Sequence, residues 1–320
     1  MRGLRYRGEP NRLVLHVTNR TITGLPFVPK KFMEELIAGI MGKCQERFKV
    51  QLCHFLWMGN HYHMIVAGQA KQLSPFICQM QSEIAKMIMR LTPQYKGKVW
   101  ARRFREQRLC TAIDVLEMIT YLYVNPVKAK LVKHSREWTG LSSLKMYLAD
   151  SYKISVKWTP SRCLNPLREY VNIRNEIIPL KKLHSLPFTK YELEIKPNIW
   201  KRCFEESKEW SDEYIYETLK EMIKEKEKEY ENEKFIGIEK VKKQSINKCY
   251  ECTKRSNTPF LRCKINELRV ELIKRYKYFC RKCREAGKEW RRGNVLAPYS
   301  CGAFRPSLPI LSRLSFCISS

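Results

Sequence analysis

Residues 50–58 and 61–67 are two strand-like runs with only Gly59 and Asn60 between them, a residue pair suited to a tight β-hairpin turn. This hairpin constrains the fold more than any other feature. It commits the chain to an antiparallel sheet and decides which side chains share a face. Side chains alternate along a strand, so His61 and His63 point to one side and Tyr62 to the other. Two imidazoles are thereby presented side by side at the start of the hairpin's second arm.

The surrounding patterns extend the sheet. Residues 13–18 read as a strand, and residues 30–48 as an amphipathic helix carrying Phe32, Leu36, Ile37, Ile40 and Met41 on one face. Residues 74–91 repeat that helical spacing with Phe76, Ile77, Met80, Ile84, Met87, Ile88 and Leu91, and residues 99–110 suit a further strand or hairpin arm. The next run, 114–125, has Asp114 at a plausible N-cap and ends before Pro126. The order βαββαβ with a terminal helix predicts an α+β fold, a ferredoxin-like split βαβ arrangement with helices on one face of an antiparallel sheet.

On the terminal helix Tyr121 and Asn125 stand four apart and share a face. One element can thus bring a ligand oxygen and a phenolic nucleophile to a metal held by the two histidines. Tyr123 points about 200° away from Tyr121 and is expected to pack. Glu117, one turn earlier, either orients the site or is a surface carboxylate. His16 and His54 lie in strand patterns and are expected to pack or to hydrogen-bond. The structural alternative for His61 and His63 is a pair of polar edge-strand residues, and Asn125 can instead serve as a helix-terminal residue.

The chain has 320 residues, a formal net charge of +29 and a pI near 9.7. Such an excess needs a polyanionic partner or a solvated tail, and nucleic acid is the natural one. No apolar run approaches the ~18 residues of a membrane span, and no signal peptide pattern precedes the first strand, so a soluble, cytoplasmic, nucleoid-associated protein is expected. Thirteen scattered cysteines, an odd number, fit a reducing compartment. Arg102, Arg103, Arg105 and Arg108, beside Trp100 and Phe104, form either a single-strand DNA groove or a charged sheet edge. Arg2, Arg5, Arg7 and Arg12 form either a basic arm or a disordered start.

Three segments carry a resemblance to a known family: His16-Val17-Thr18-Asn19-Arg20, then Met58-Gly59-Asn60-His61-Tyr62-His63-Met64-Ile65-Val66, then Tyr121-Leu122-Tyr123-Val124-Asn125-Pro126-Val127-Lys128-Ala129 followed by Leu131 and Val132. Trp138, Ser142 and Ser143 fit the same pattern. Over roughly its first half the chain resembles the REP-associated tyrosine transposases, in the single-tyrosine branch of the HUH endonuclease superfamily. The resemblance implies the ferredoxin-like core and His61, His63 and Asn125 as ligands of Mg2+ or Mn2+. It also implies that Tyr121 forms a 5′-phosphotyrosine with single-stranded or hairpin DNA, and that homodimers are possible. No Walker-type glycine loop appears, in keeping with strand rejoining that needs no ATP. A DNA-binding relative that keeps the fold without turnover is the competing class.

Residues 1–150 are expected to form the catalytic domain, 151–210 an extended connection, and 211–320 a helical basic region. A fragment ending near Asp150 should then keep the metal site if the core folds without its covering segments. Cys249 and Cys252 with Cys280 and Cys283 have the pairwise spacing of a four-cysteine zinc site, which would make a zinc-stabilised binder a third class. The intervening span is longer than a compact zinc ribbon, and the second pair lies in a helical pattern.

Overall fold

A computed structural model describes residues 13–22, 24–68, 70–92, 97–172, 177–246, 259–300 and 303. Its contacts divide the chain into two units, Pro10–Arg262 and Cys263–Ser320 with Met1–Glu9.

In the larger unit, β1 (Val14–Arg20), α1 (Lys31–Phe48), β2 (Gln51–Trp57), β3 (His61–Ala67), α2 (Ala70–Leu91) and β4 (Arg105–Leu109) follow in the expected βαββαβ order. The strands hydrogen-bond in the order β2-β3-β1-β4, all antiparallel, which is the ferredoxin-like arrangement. A two-residue strand, β7 (Leu261–Arg262), adds to β4 in parallel and makes a fifth member of the sheet.

Strand alternation divides the core in two. Leu13, Leu15 and Val17 join Tyr62 and Met64 beneath α1 and α2. Val14, Ile65 and Leu109 join the opposite core, formed with α3 (Ala112–Lys128). The helices therefore cover both faces of the sheet, not one as the pattern predicted. Because His61 and His63 alternate away from Tyr62, they lie on the face that α3 covers.

Two details of α3 differ from expectation. Its N-cap is Thr111, whose Oγ1 accepts the Asp114 backbone N–H at 3.2 Å and donates to Asp114 Oδ2 at 2.6 Å, so Asp114 is the third residue of the first turn. Pro126 does not stop the helix. It sits in the last turn, which runs to Lys128 and is closed by Lys130 in the left-handed region at φ 58°.

Residues 151–210 are more structured than an extended connection. β5 (Lys153–Trp158) and β6 (Thr189–Glu194) form an antiparallel pair that packs on α1. Gly39 and Gly42 permit the approach, since a Cβ on Gly39 would lie 2.0 Å from the Lys157 carbonyl oxygen. Short helices α4 (Leu144–Leu148), α5 (Arg168–Asn172) and α6 (Leu180–His184) fill between. Then α7 (Asp212–Lys228) buries Ile215 and Leu219 in the α3 core, and α8 (Ile238–Lys242) adds Val241.

Within the smaller unit, α9 (Asn266–Arg291) buries Phe279, Cys280 and Cys283 in one cluster. Burial pushes the Cys283 thiol pKa up, and the nearby Cys280 adds to that. Cys249 and Cys252, the other half of the zinc expectation, lie outside the described residues, as do Arg2, Arg5, Arg7 and Arg12. No helix among the described residues is long and apolar enough to cross a membrane.

Candidate active site

The antiparallel register sets Thr18 opposite His63 and Arg20 opposite His61, so His16 is the diagonal neighbour of His63 on the same face. Over these residues lies the face of α3 that carries Met118, Tyr121 and Asn125. Together they line a cavity of about 810 Å³. Tyr121 and Asn125, which share a face of the helix, thus line one cavity with the two histidines. Among the described residues no group of three or more His, Cys, Asp or Glu side chains is gathered to hold a metal ion. The donor set is two imidazoles and an amide.

The hydrogen bonds define the tautomers. The Asn125 amide Nδ2 donates to His63 Nε2 at 2.9 Å, which makes Nδ1 the protonated nitrogen of His63. That Nδ1–H donates to His16 Nε2 at 2.9 Å, with the two rings stacked 5.1 Å apart. His16 Nδ1 is buried without a partner. His61 Nδ1 donates to Asn60 Oδ1 at 2.7 Å, which leaves its Nε2 lone pair available. Both candidate ligands are therefore oriented by a second bond through Nδ1, as metal-binding imidazoles commonly are.

Electrostatics keep the rings neutral. Burial, reinforced by the Arg20 charge, lowers the His61 pKa to about 4. Burial, then the neighbouring His61 and His16, holds His63 well below the usual imidazole range. Burial and the Arg262 charge lower His16 to about 4, with Gln107 acting in the opposite direction. Neutral imidazoles are the form that binds metal.

These residues fit a divalent ion. Adjacent ligands of an octahedral ion at ~2.1 Å stand about 3 Å apart, close to the 2.9 Å between His63 Nε2 and the Asn125 amide. Rotating that amide would turn its oxygen to the same place without moving the helix.

Tyr121 is half-buried, its ring 5.7 Å from that of His63 and 5.1 Å from Lys128 Nζ. Burial raises the phenol pKa, the hydrogen bond with Asn125 lowers it, and Tyr230 raises it. Tyr123 belongs to the opposite side of α3. It is buried, its hydroxyl 2.6 Å from His54 Nδ1 and 2.9 Å from Ser143 Oγ. His54 Nε2 donates to the Pro197 carbonyl, so His54 Nδ1 accepts the Tyr123 hydroxyl. Tyr123 and His54 thus take the packing and bonding roles expected of them.

The basic cluster divides. Arg102 and Arg105 line the cavity with Arg20, whereas Arg103 is exposed elsewhere. Burial, then the charges of Arg102 and Arg20, lowers the Arg105 pKa. Arg108 pairs in register with Leu15, and period-two alternation turns it to the other face of the sheet. Trp100 packs between Phe27 and Tyr62 and donates its indole N–H to the Gln81 carbonyl at 2.9 Å, so its ring supports the core.

Sequence reasoning missed two residues. His16 appeared as an ordinary strand histidine; its place in the first resembling segment was the available signal. Arg262 lines the same cavity although it is far along the chain, and no local pattern marked it.

Residues 11–119, about a third of the chain, match the family model described as Transposase IS200 like. The match includes His61 and His63 and ends two residues before Tyr121. No curated protein matches the chain. Among solved structures, a REP-associated tyrosine transposase bound to a REP hairpin is 16% identical, over 45% of this chain and 85% of its own, with a TM-score of 0.36. A candidate transposase from Deinococcus radiodurans R1 is 13% identical, over 37% of this chain and 93% of its own, with a TM-score of 0.27. The fold assignment rests on strand order and register, not on these two likenesses.

Proposed function

We propose that this protein is a transposase that nicks and rejoins single-stranded, hairpin-containing DNA through a 5′-phosphotyrosine at Tyr121, as in the REP-associated branch its motifs resemble. The observation that carries the reading is the convergence of His61, His63, Tyr121 and Asn125 in one cavity rimmed by Arg20, Arg102 and Arg105. In the proposed step the Tyr121 phenolic oxygen bonds to the scissile phosphorus and the bond to the 3′-oxygen breaks. The phenol loses its proton and the departing 3′-oxygen gains one. Rejoining runs the same exchange in reverse.

His61, His63 and the Asn125 amide would hold Mg2+ or Mn2+, with imidazole ligands suiting manganese at least as well. Such an ion, when bound, supplies Lewis-acid neutralisation of the phosphate and favours the phenolate. The residues do the rest. His16 and Asn60 hold the imidazoles in the ligand tautomer, the arginines draw in the phosphodiester backbone, and α3 keeps Tyr121 beside the histidines.

The test is cleavage of a labelled single-stranded hairpin with added Mn2+ or Mg2+, against the duplex of the same sequence. Cleavage of the hairpin, its loss in His61→Ala and His63→Ala, and near-unchanged hairpin affinity in both variants are expected. Variants that cut like the wild type would remove the histidines from the chemistry. Binding without cleavage by the wild type would favour a DNA-binding relative of the same fold.

A further inference from the structure

Beyond the family-matched region, β7 carries Arg262 into the site. Its backbone is held by β4: Arg108 N–H donates to the Phe260 carbonyl at 2.9 Å and Cys110 N–H to the Arg262 carbonyl at 3.1 Å. Gln107 Nε2 donates to the Pro259 carbonyl at 3.2 Å, which anchors the approach to the strand. The guanidinium then meets the first two turns of α3. Nη2 donates to Glu117 Oε2 at 2.6 Å, and Nε lies 4.0 Å from Asp114 Oδ1.

That second contact is an ion pair without a hydrogen bond. Asp114 is fully buried, and neither its Oδ1 nor Arg262 Nε has a hydrogen-bond partner. A second cavity of about 370 Å³ lies on the other side of Tyr121, lined by Glu117, Lys128, Glu225 and Tyr230 among others. Among the described residues, Tyr121 and Arg262 are the two that line both cavities. Asp114, Glu117 and Tyr121 follow one another along one side of α3, so the carboxylates that pair with Arg262 hold it on the side of the helix that carries the tyrosine.

We propose that Arg262 is a phosphate-binding residue of the active site, held by Asp114 and Glu117 so that its remaining guanidinium donors meet the scissile phosphate beside Tyr121. This rests on the nicking reaction proposed above. A planar guanidinium with five donors can be fixed by carboxylates along one edge and still offer others to a phosphate. The segment that brings Arg262 is thus part of the catalytic unit, although the sequence match ends long before it.

Removing Arg262 alone strands the buried Asp114 carboxylate, so the decisive variant is Asp114→Asn with Arg262→Gln, compared with Asp114→Asn alone. The full chain is given excess Mn2+ and a single-stranded hairpin, and the single-turnover rate of covalent adduct formation is measured. The double variant should form adduct on the order of 100-fold more slowly than Asp114→Asn, with hairpin affinity changed far less. A second substrate carries an uncharged methylphosphonate at the scissile position. On it the penalty should shrink to a few-fold, because the charge Arg262 answers is gone. An undiminished penalty on methylphosphonate, or equal rates on the natural substrate, would overturn the role of Arg262. Absence of any adduct in the wild type would instead overturn the nicking reaction itself, and this role with it.

Discussion

His63 makes two bonds that fix its protonation, accepting from Asn125 and donating to His16. Loss of a side chain that orients a ligand usually costs about 10–100-fold in metal affinity, so His16→Ala should weaken Mn2+ binding by that factor. Titration of DNA-free protein checks it, and unchanged affinity would reduce His16 to packing. A second residue-scale expectation concerns acid. Burial lowers His54 to about 3, against an ordinary 6.5, with the Pro197 carbonyl opposing. Below pH 6.5 the unfolded chain takes up a proton that folded His54 refuses, so stability falls as the pH drops from 6.5 towards 3. From pH 6.5 to 5 this residue should cost about 2 kcal/mol. Denaturant unfolding at both values should show a correspondingly shallower loss in His54→Gln, and an identical loss would contradict the assignment. His61, His63, Tyr121 and Asn125 were legible because faces follow from strand and helix periods. His16 was not, since a strand histidine has many uses, and Arg262 enters only through tertiary pairing.

At the scale of elements, α3 connects chemistry and stability. One side carries Tyr121 and Asn125 into the cavity while Leu122, Tyr123 and Ile119 are buried in its core. The helix was evident from its pattern, but its place on the second sheet face was not, because a single amphipathic stripe does not say which face it will cover. The β5–β6 pair was missed for a similar reason. Its alternation is short, and its packing partner is a helix more than a hundred residues earlier. Gly39 is where the two touch. Gly39→Val would push a side chain into the Lys157 backbone, which cannot yield as a flexible side chain would. A loss of about 1–3 kcal/mol is expected from such overpacking, read by denaturant unfolding. Wild-type stability in the variant would mean that the helix and hairpin do not meet this closely.

Within the unit Pro10–Arg262, segments after residue 150 pack onto the four-strand core. Ile215 and Leu219 of α7, together with Trp200 and Phe204, belong to the same apolar cluster as α3, and Val156 and Leu193 of the hairpin belong to that of α1. A fragment ending at Asp150 would expose both surfaces. The sequence suggested that such a fragment keeps the site if it folds, and the packing supplies the missing condition. We expect the 150-residue fragment to unfold without a cooperative transition, whereas the unit Pro10–Arg262 melts cooperatively. Circular dichroism melting curves distinguish the two, and a sharp transition in the shorter fragment would contradict this account. The most direct measurement of the central claim is the site of covalent attachment. The full chain is incubated with Mn2+ and a single-stranded hairpin, digested, and mapped by mass spectrometry. The account predicts a nucleotide phosphate on Tyr121, absent in Tyr121→Phe and retained in Tyr123→Phe. Attachment at Tyr123 or Tyr230, or cleavage that leaves no protein-linked DNA, would contradict it.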